Sequence, residues 1–152
     1  MARRAYTEWE LCERLKRRGV SAAEAADALR ELKRRGLIDD GATAAMWAQS
    51  WRDRKGWGPL RVRIELGRRG IGRPLADDVL RDCFPSDDLQ ASVERAAAAL
   101  TRRPTFRRAG RQQARWLAAQ LQRRGFPHDA IRRVIFSRCP SPEEDDNIGP
   151  HD

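Results

Sequence analysis

The sequence predicts an all-α protein built from tandem three-helix repeats. One phrase occurs three times: an apolar residue, three spacers, Leu, one spacer, Arg-Arg-Gly and a final apolar residue. The copies contain Gly19, Gly70 and Gly125, which lie 51 and 55 residues apart. After each glycine, apolar residues recur six, nine and ten places on, a helical spacing. Self-similarity at a long period is typical of stacked supersecondary units that bury their apolar faces against one another.

Local start and stop signals divide the chain into eight predicted helices. Thr7 with Glu10 and Ser21 with Glu24 have the spacing of a capping box, in which both residues satisfy free backbone amides. Prolines 59, 74, 104 and 127 suit first helical turns, and glycines 19, 36, 70 and 125 suit left-handed helix ends. The predicted helices span about residues 7–18, 21–35, 40–54, 59–69, 74–82, 86–103, 105–124 and 127–137.

The segment from Leu60 to Leu66 is the one ambiguous element. Its apolar residues alternate strictly with polar ones, which taken alone is typical of a strand. In the repeat, however, Val62 and Leu66 align with apolar pairs in helical contexts. A helix packed between two neighbours also needs apolar residues on two sides. We therefore predict a helix.

These elements form three units and a tail. Residues 1–38 form a first repeat that lacks its leading helix, residues 39–83 a second three-helix repeat and residues 84–139 a third. Residues 140–152 contain five acids and no Lys or Arg, and they are predicted to be a disordered tail.

The net charge is +9, and without the tail the chain carries 31 basic and 17 acidic residues. Such an excess favours a polyanionic partner, most simply nucleic acid or a nucleoprotein. No apolar run has the length of a membrane span. The three cysteines have no CxxC spacing and no histidine lies near them, so we expect reduced thiols, no metal site and a cytoplasmic protein.

The sequence contains no P-loop motif, no GxGxxG, no HExxH and no GxSxG, so no catalytic residue and no cofactor is predicted. Three pairs of adjacent aspartates begin at Asp39, Asp77 and Asp87 and suggest carboxylate or metal chemistry. Each pair lies at or near a predicted helix start, where carboxylates cap free amides and complement the helix dipole. The sequence therefore predicts a protein that is not an enzyme.

Arginines form the candidate binding surface. A solvated helix face usually mixes both charges, yet no Asp or Glu occurs between Glu94 and Asp129. The candidates in the middle unit and in the third unit are Arg54, Lys55, Arg61, Arg68, Arg69, Arg107, Arg108, Arg111, Arg115, Arg123 and Arg124. The doublets before each glycine are weaker candidates, since compensation of the helix dipole explains them about as well. Trp57, in a loop flanked by cations, is a possible exposed contact for bases or for a protein.

Several phrases of the sequence resemble those of the RecX family, the bacterial modulators of the recombinase RecA. One is Gly36-Leu37-Ile38-Asp39-Asp40, followed by Ala44, Trp47 and Arg54. Others are Gly56, Gly58-Pro59, Glu65-Leu66 and Arg69-Gly70-Ile71. In the third unit the resemblance lies in Leu117, Leu121-Gln122-Arg123-Arg124-Gly125-Phe126 and Ile131. The resemblance covers about residues 7–137.

The resemblance implies an elongated, curved array of three repeats that lies in the groove of the RecA filament on single-stranded DNA. It implies a monomeric negative modulator that restrains filament assembly, ATPase activity and strand exchange. Two alternatives remain open from the residues. One is a general DNA-binding protein that acts without RecA; the other is a scaffold whose arginines only keep it soluble.

Overall fold

Eight helices make up the computed structural model, which describes residues 5–102 and 111–138. They are α1 (Glu8–Arg17), α2 (Ala22–Arg34), α3 (Asp40–Lys55), α4 (Pro59–Arg68), α5 (Arg73–Cys83), α6 (Ser86–Thr101), α7 (Arg111–Arg123) and α8 (His128–Arg138). Those two ranges contain no strand. The predicted all-α fold is confirmed. The predicted start of the seventh helix at residue 105 and the predicted disordered tail lie outside the described residues.

The segment from Leu60 to Leu66, which was predicted to be helical despite its strand-like alternation, is helical and lies in α4. Val62 and Leu66 are fully buried, whereas Leu60 and Ile64 are 45% and 53% exposed. As expected, α4 lies between two neighbours, α3 and α5, but only one of its two apolar rows is buried. Its second apolar row faces solvent, and the alternation reflects exposed apolar residues rather than a second buried face.

Helix starts follow the local signals. Thr7 and Ser21 both form complete capping boxes, with the hydroxyl accepting from the third helical amide and the glutamate accepting from the cap amide. The Asp39 carboxylate accepts a hydrogen bond from the Ala42 amide and caps α3. Pro59 and Pro74 lie in first turns, whereas Pro127 precedes α8 instead of lying inside it.

The repeated phrase is a helix C-terminal cap. Glycines 19, 70 and 125 have φ angles of 81°, 80° and 81°, in the left-handed region that lacks a steric penalty only for glycine. The amide of the apolar residue after each glycine donates to the carbonyl of the leucine five places back, and the glycine amide donates to the carbonyl three places back. This is the Schellman motif. Leucine supplies the apolar contact, the arginines compensate the helix dipole and glycine makes the turn.

The helices pack mainly within three groups, α1 with α2, α3 with α4 and α5, and α6 with α7 and α8. The second group has a core around Trp51, Val62 and Leu66, and the third has one around Leu117, Leu121 and Phe126. In the first group, α1 has no buried residue and α2 has only Ala25 and Leu29. The first group is therefore the least stabilised by apolar burial.

The middle and third groups meet end to end, at a contact that we name the α7–α4 joint. The Gly58 amide donates to the Arg124 carbonyl at 2.7 Å, and the Leu60 amide donates to the Gly125 carbonyl at 3.0 Å. Free amides at the start of α4 thereby satisfy free carbonyls at the end of α7. A Cβ atom on Gly125 would lie 2.2 Å from the Arg61 nitrogen, so only glycine permits this approach.

The first and middle groups meet in the same way, at the α4–α1 joint. The Thr7 hydroxyl, at the start of α1, donates to the Arg69 carbonyl at 2.7 Å. A Cβ atom on Gly70 would lie 2.2 Å from the Trp9 Cβ atom. The helix cap that carries the repeated phrase is thus also the surface on which the neighbouring unit docks.

Candidate functional site

Three arginines within α4 are neutralised by acids of the middle unit. Arg61 and Arg68 both pair with Glu65, at 3.4 Å and 2.9 Å. Arg63 pairs with Asp77 at 2.8 Å. Of the sequence-predicted candidates, Arg61 and Arg68 therefore already have a carboxylate partner, which reduces the charge they offer to another molecule.

The arginines of α7 and α8 differ, because several are exposed and lack an acidic partner. Among the described residues, no ion pair is formed by Arg111, Arg115, Arg123, Arg132 or Arg133. All five side chains lie in exposed residues. The first three were candidates from sequence, whereas Arg132 and Arg133 were missed. Their signal was an Arg-Arg pair in a helix with a single acid, Asp129. Arg107 and Arg108 lie outside the described residues.

Arg54, Lys55 and Trp57 form a second basic site at the end of α3. Arg54 and Lys55 are exposed, and no described acid forms an ion pair with either. The Lys55 Nζ atom lies 4.3 Å from the centroid of the Trp57 ring, and the Arg61 Cζ atom lies 5.1 Å from it. These are cation–π distances. Trp57 is partly buried against Trp51, at 5.6 Å between ring centroids, so it offers only part of its ring.

Arg69 is engaged inside the fold. Its guanidinium carbon lies 4.3 Å from the centroid of the Trp47 ring and 5.6 Å from that of Trp51. Its Nη1 atom lies 3.3 Å from a carboxylate oxygen of Glu10, in the first unit. Arg69 therefore links the first two units. Its charge was visible in the sequence, but its partners come from two other helices.

Arg124 is placed at the other joint. Its carbonyl accepts the Gly58 amide. Its guanidinium lies against Gly56, where a Cβ atom would come within 2.7 Å of the Nη1 atom. In the last two Arg-Arg doublets of the repeated phrase, the two arginines therefore have different roles. Arg68 and Arg123 are exposed, while Arg69 and Arg124 support contacts between units.

Titratable groups show no arrangement suited to acid–base catalysis in the described ranges. Asp77 and Asp78 pair with arginines, and Asp87 and Asp88 lie in the first turn of α6. Burial raises the pKa of the Cys83 thiol, and the nearby Arg52 partly offsets this. In turn, the hydrogen bond to Asp53 raises the pKa of Arg52. The described residues include no group of three or more potential metal ligands.

Cys12 and Cys83 are free thiols. Cys83 is buried in the core of the middle unit, as expected of a packing residue, and Cys12 is partly exposed. None of the helices in residues 5–102 and 111–138 combines the length and apolarity that a bilayer crossing requires.

Comparison with known families supports a regulatory protein. Residues 39–80 match the model described as "RecX, second three-helix domain". The regulatory protein RecX of Halorhodospira halophila is 34% identical over 151 residues, covering 99% of this chain and 88% of that protein. The regulatory protein RecX of Pseudomonas putida strain W619 is 36% identical over 140 residues, covering 91% and 85%.

Solved structures show the same fold. A crystal structure of RecX from Lactobacillus salivarius superposes with a TM-score of 0.78 at 19% identity, covering 88% of this chain and 86% of that one. A second crystal structure, of a regulatory protein RecX, superposes with a TM-score of 0.76 at 24% identity, covering 86% of this chain and 64% of that one. The tandem helical architecture predicted from the repeated phrase is thereby confirmed.

Proposed function

This chain belongs to the RecX family of regulatory proteins, and on that premise we propose that it is a non-enzymatic negative modulator of RecA. It would bind the RecA filament on single-stranded DNA as a cytoplasmic monomer. It would restrain filament assembly, ATP hydrolysis and strand exchange. We propose the three units as 1–38, 39–83 and 84–139, with residues 140–152 as a tail.

The observation that carries the proposal is the set of exposed arginines on α7 and α8 without an acidic partner. A surface guanidinium that has no internal carboxylate keeps its full charge for a phosphate or a partner carboxylate. The Arg54–Lys55 site on the middle unit would act with it. Two basic sites on successive units of an array suit a partner that is itself long and repetitive.

The experiment is a titration of RecA's ATP hydrolysis on single-stranded DNA with substoichiometric amounts of the protein, at two salt concentrations. We expect loss of hydrolysis well below one molecule per RecA. The double variant Arg111→Gln/Arg115→Gln should weaken this inhibition. Its control is Arg63→Gln/Arg73→Gln, which removes the same charge from two arginines that already pair with Asp77.

The role of phosphates is measured separately by binding to a labelled oligonucleotide. Each single-strand phosphate contact contributes about 0.7 to the slope of log affinity against log salt. The α7 variant should therefore lower the slope by up to about 1.4, and the control should change it little. Equal inhibition by both variants and the unaltered protein would refute the assignment of the α7 arginines.

One alternative rests on the same arginines, namely a general DNA-binding protein that acts without RecA. It predicts tight oligonucleotide binding and no inhibition beyond competition for DNA. Raising the DNA concentration distinguishes the two. Competition is relieved by excess DNA, whereas a modulator that acts on the filament still inhibits at saturating DNA.

A further inference from the structure

A groove runs along the outer side of α8, next to α7, in the third unit. Apolar atoms of Ala118, Ile131, Ile135 and Phe136 line it, together with two cations, Arg132 and Arg133, the imidazole of His128 and a single acid, Asp129. Phe136 is 82% exposed, the largest exposure among the large apolar side chains described. An exposed aromatic beside two cations without acidic partners suits an acidic segment that also carries an apolar residue.

We propose that the acidic tail of this same chain, residues 140–152, binds in this groove and competes there with the phosphates of the nucleic acid. The inference deepens the proposed function, since the same arginines would serve both ligands. The tail contains Glu143, Glu144, Asp145 and Asp146 in succession, followed by Ile148. It contains no Lys or Arg.

Charge complementarity supports this occupant. From residue 111 to residue 138 the chain has seven arginines and a single acid, Asp129. The tail then supplies five acids, at positions 143, 144, 145, 146 and 152. Such a tail lies at high effective concentration next to its site, so weak ion pairs suffice for binding.

The distances permit the contact. Arg132 and Arg133 lie six and five residues before the end of α8 at Arg138, which is about 8–9 Å along a helix. Glu143 follows Arg138 by five residues, and an extended chain of that length spans about 16 Å. The acids can therefore turn back over Arg132 and Arg133. Ile148 is then within reach of the apolar part of the groove.

The contact is measured directly in the full-length protein by amide chemical shifts, with neither DNA nor RecA present. The variant Glu143→Gln/Glu144→Gln is compared with Asp82→Asn/Asp87→Asn, which raises the net charge equally through exposed acids on α5 and α6. We expect the tail variant alone to shift the amides of Ala118, His128 and Ile131, and high salt to reproduce the shift. Because these residues are distant from the tail in sequence, a change there requires a contact in space.

The functional effect is measured with the labelled oligonucleotide. We expect the tail variant to bind more tightly at low salt, by about twofold to fivefold per ion pair released. In an Arg132→Gln/Arg133→Gln background the tail variant should have no further effect, because the site is already lost. If the protein shows the expected tail-dependent shifts but does not inhibit RecA, the proposed function is refuted and this proposal stands.

Three outcomes would overturn the proposal. Shifts confined to residues 137–138 would mean that the tail does not bind in the groove. Equal shifts in the control would mean a general response to charge. Shifts that grow with protein concentration would assign the groove to a second copy of the chain.

Discussion

The Gly58 amide donates a 2.7 Å hydrogen bond to the Arg124 carbonyl, which connects the start of α4 to the end of α7. Thr7 has the equivalent relationship with Arg69, through its hydroxyl, at 2.7 Å. In both joints, donors at a helix start meet carbonyls at the C-terminal cap formed by the repeated phrase. One local motif therefore ends a helix and also binds the next unit.

The first prediction separates these two roles with a matched pair of glycines. Gly19 and Gly125 have the same φ of 81°, so alanine at either position incurs about 1–2 kcal/mol of backbone strain. A Cβ atom at Gly19 has no neighbour within 4 Å, whereas one at Gly125 would clash with α4. We expect Gly125→Ala to lower the free energy of unfolding by about 1–3 kcal/mol more than Gly19→Ala does. Urea denaturation measures both, and equal losses would contradict the α7–α4 joint.

The second prediction concerns Thr7, whose hydroxyl accepts a hydrogen bond from the Glu10 amide and donates one to the Arg69 carbonyl. Thr7→Ala should cost about 2 kcal/mol, because it removes a cap and a contact between units. Ser21→Ala removes an exposed cap alone and should cost about 1 kcal/mol. Thr7→Ser should restore most of the stability. The comparison is made by thermal unfolding, and a Thr7→Ala loss no greater than that of Ser21→Ala would count against the α4–α1 joint.

The third prediction concerns the guanidinium of Arg69, which lies over Trp47 and pairs with Glu10. Arg69→Gln should lower stability by about 1–2 kcal/mol and change the tryptophan fluorescence, because a partly buried cation is lost from two rings. Arg68→Gln, at an exposed ion pair, should cost less than about 1 kcal/mol. Unchanged fluorescence in Arg69→Gln would contradict the cation–π contact.

Local signals made most of the fold predictable from the sequence. Capping boxes at Thr7 and Ser21 mark helix starts, and glycines with left-handed φ mark helix ends. Each of these signals involves residues at most five positions apart in the sequence. The joints were not predictable in this way, because the contacts of Gly58 with Arg124 and of Thr7 with Arg69 join residues more than sixty positions apart. Backbone groups make most of these contacts, and no residue type reveals their partners.

The sequence predicted which residues give the candidate site its positive charge, but not which of these arginines form ion pairs. The position of Glu65, four residues after Arg61 and three before Arg68, could have indicated their neutralisation, since such neighbours face each other on a helix. The partners of Arg69 come from other helices and are not evident from spacing. Arg132 and Arg133 lie beyond Asp129, where the acid-free stretch ends, and were not among the candidates, yet Asp129 pairs with neither among the described residues.

The fourth prediction concerns Cys83, whose pKa is raised by burial in the core of the middle unit. In a Cys12→Ser/Cys139→Ser background, the remaining thiol should react with maleimide only as fast as the protein opens, and urea should accelerate it. The matched protein that keeps Cys12 alone should react readily. Rapid labelling of native Cys83 would contradict its burial.

The same thiol gives a pH dependence. Because the folded pKa is raised, its contribution to stability is complete below the unfolded pKa of about 8.5 and is lost as the pH rises through the folded value. The urea midpoint should therefore fall at alkaline pH. Cys83→Ser should show a smaller fall, and an equal fall in both proteins would mean that other groups are responsible.

Because neighbouring units meet end to end, a small rotation at a joint produces a large displacement at the far end of a unit. A 16-residue helix such as α6 is about 24 Å long, so a rotation of about 10° at a joint would displace its far end by about 4 Å. Substitutions at a few glycine and cap positions would therefore change the pitch of the whole array. Such substitutions would change the distance between the two basic sites without altering either site.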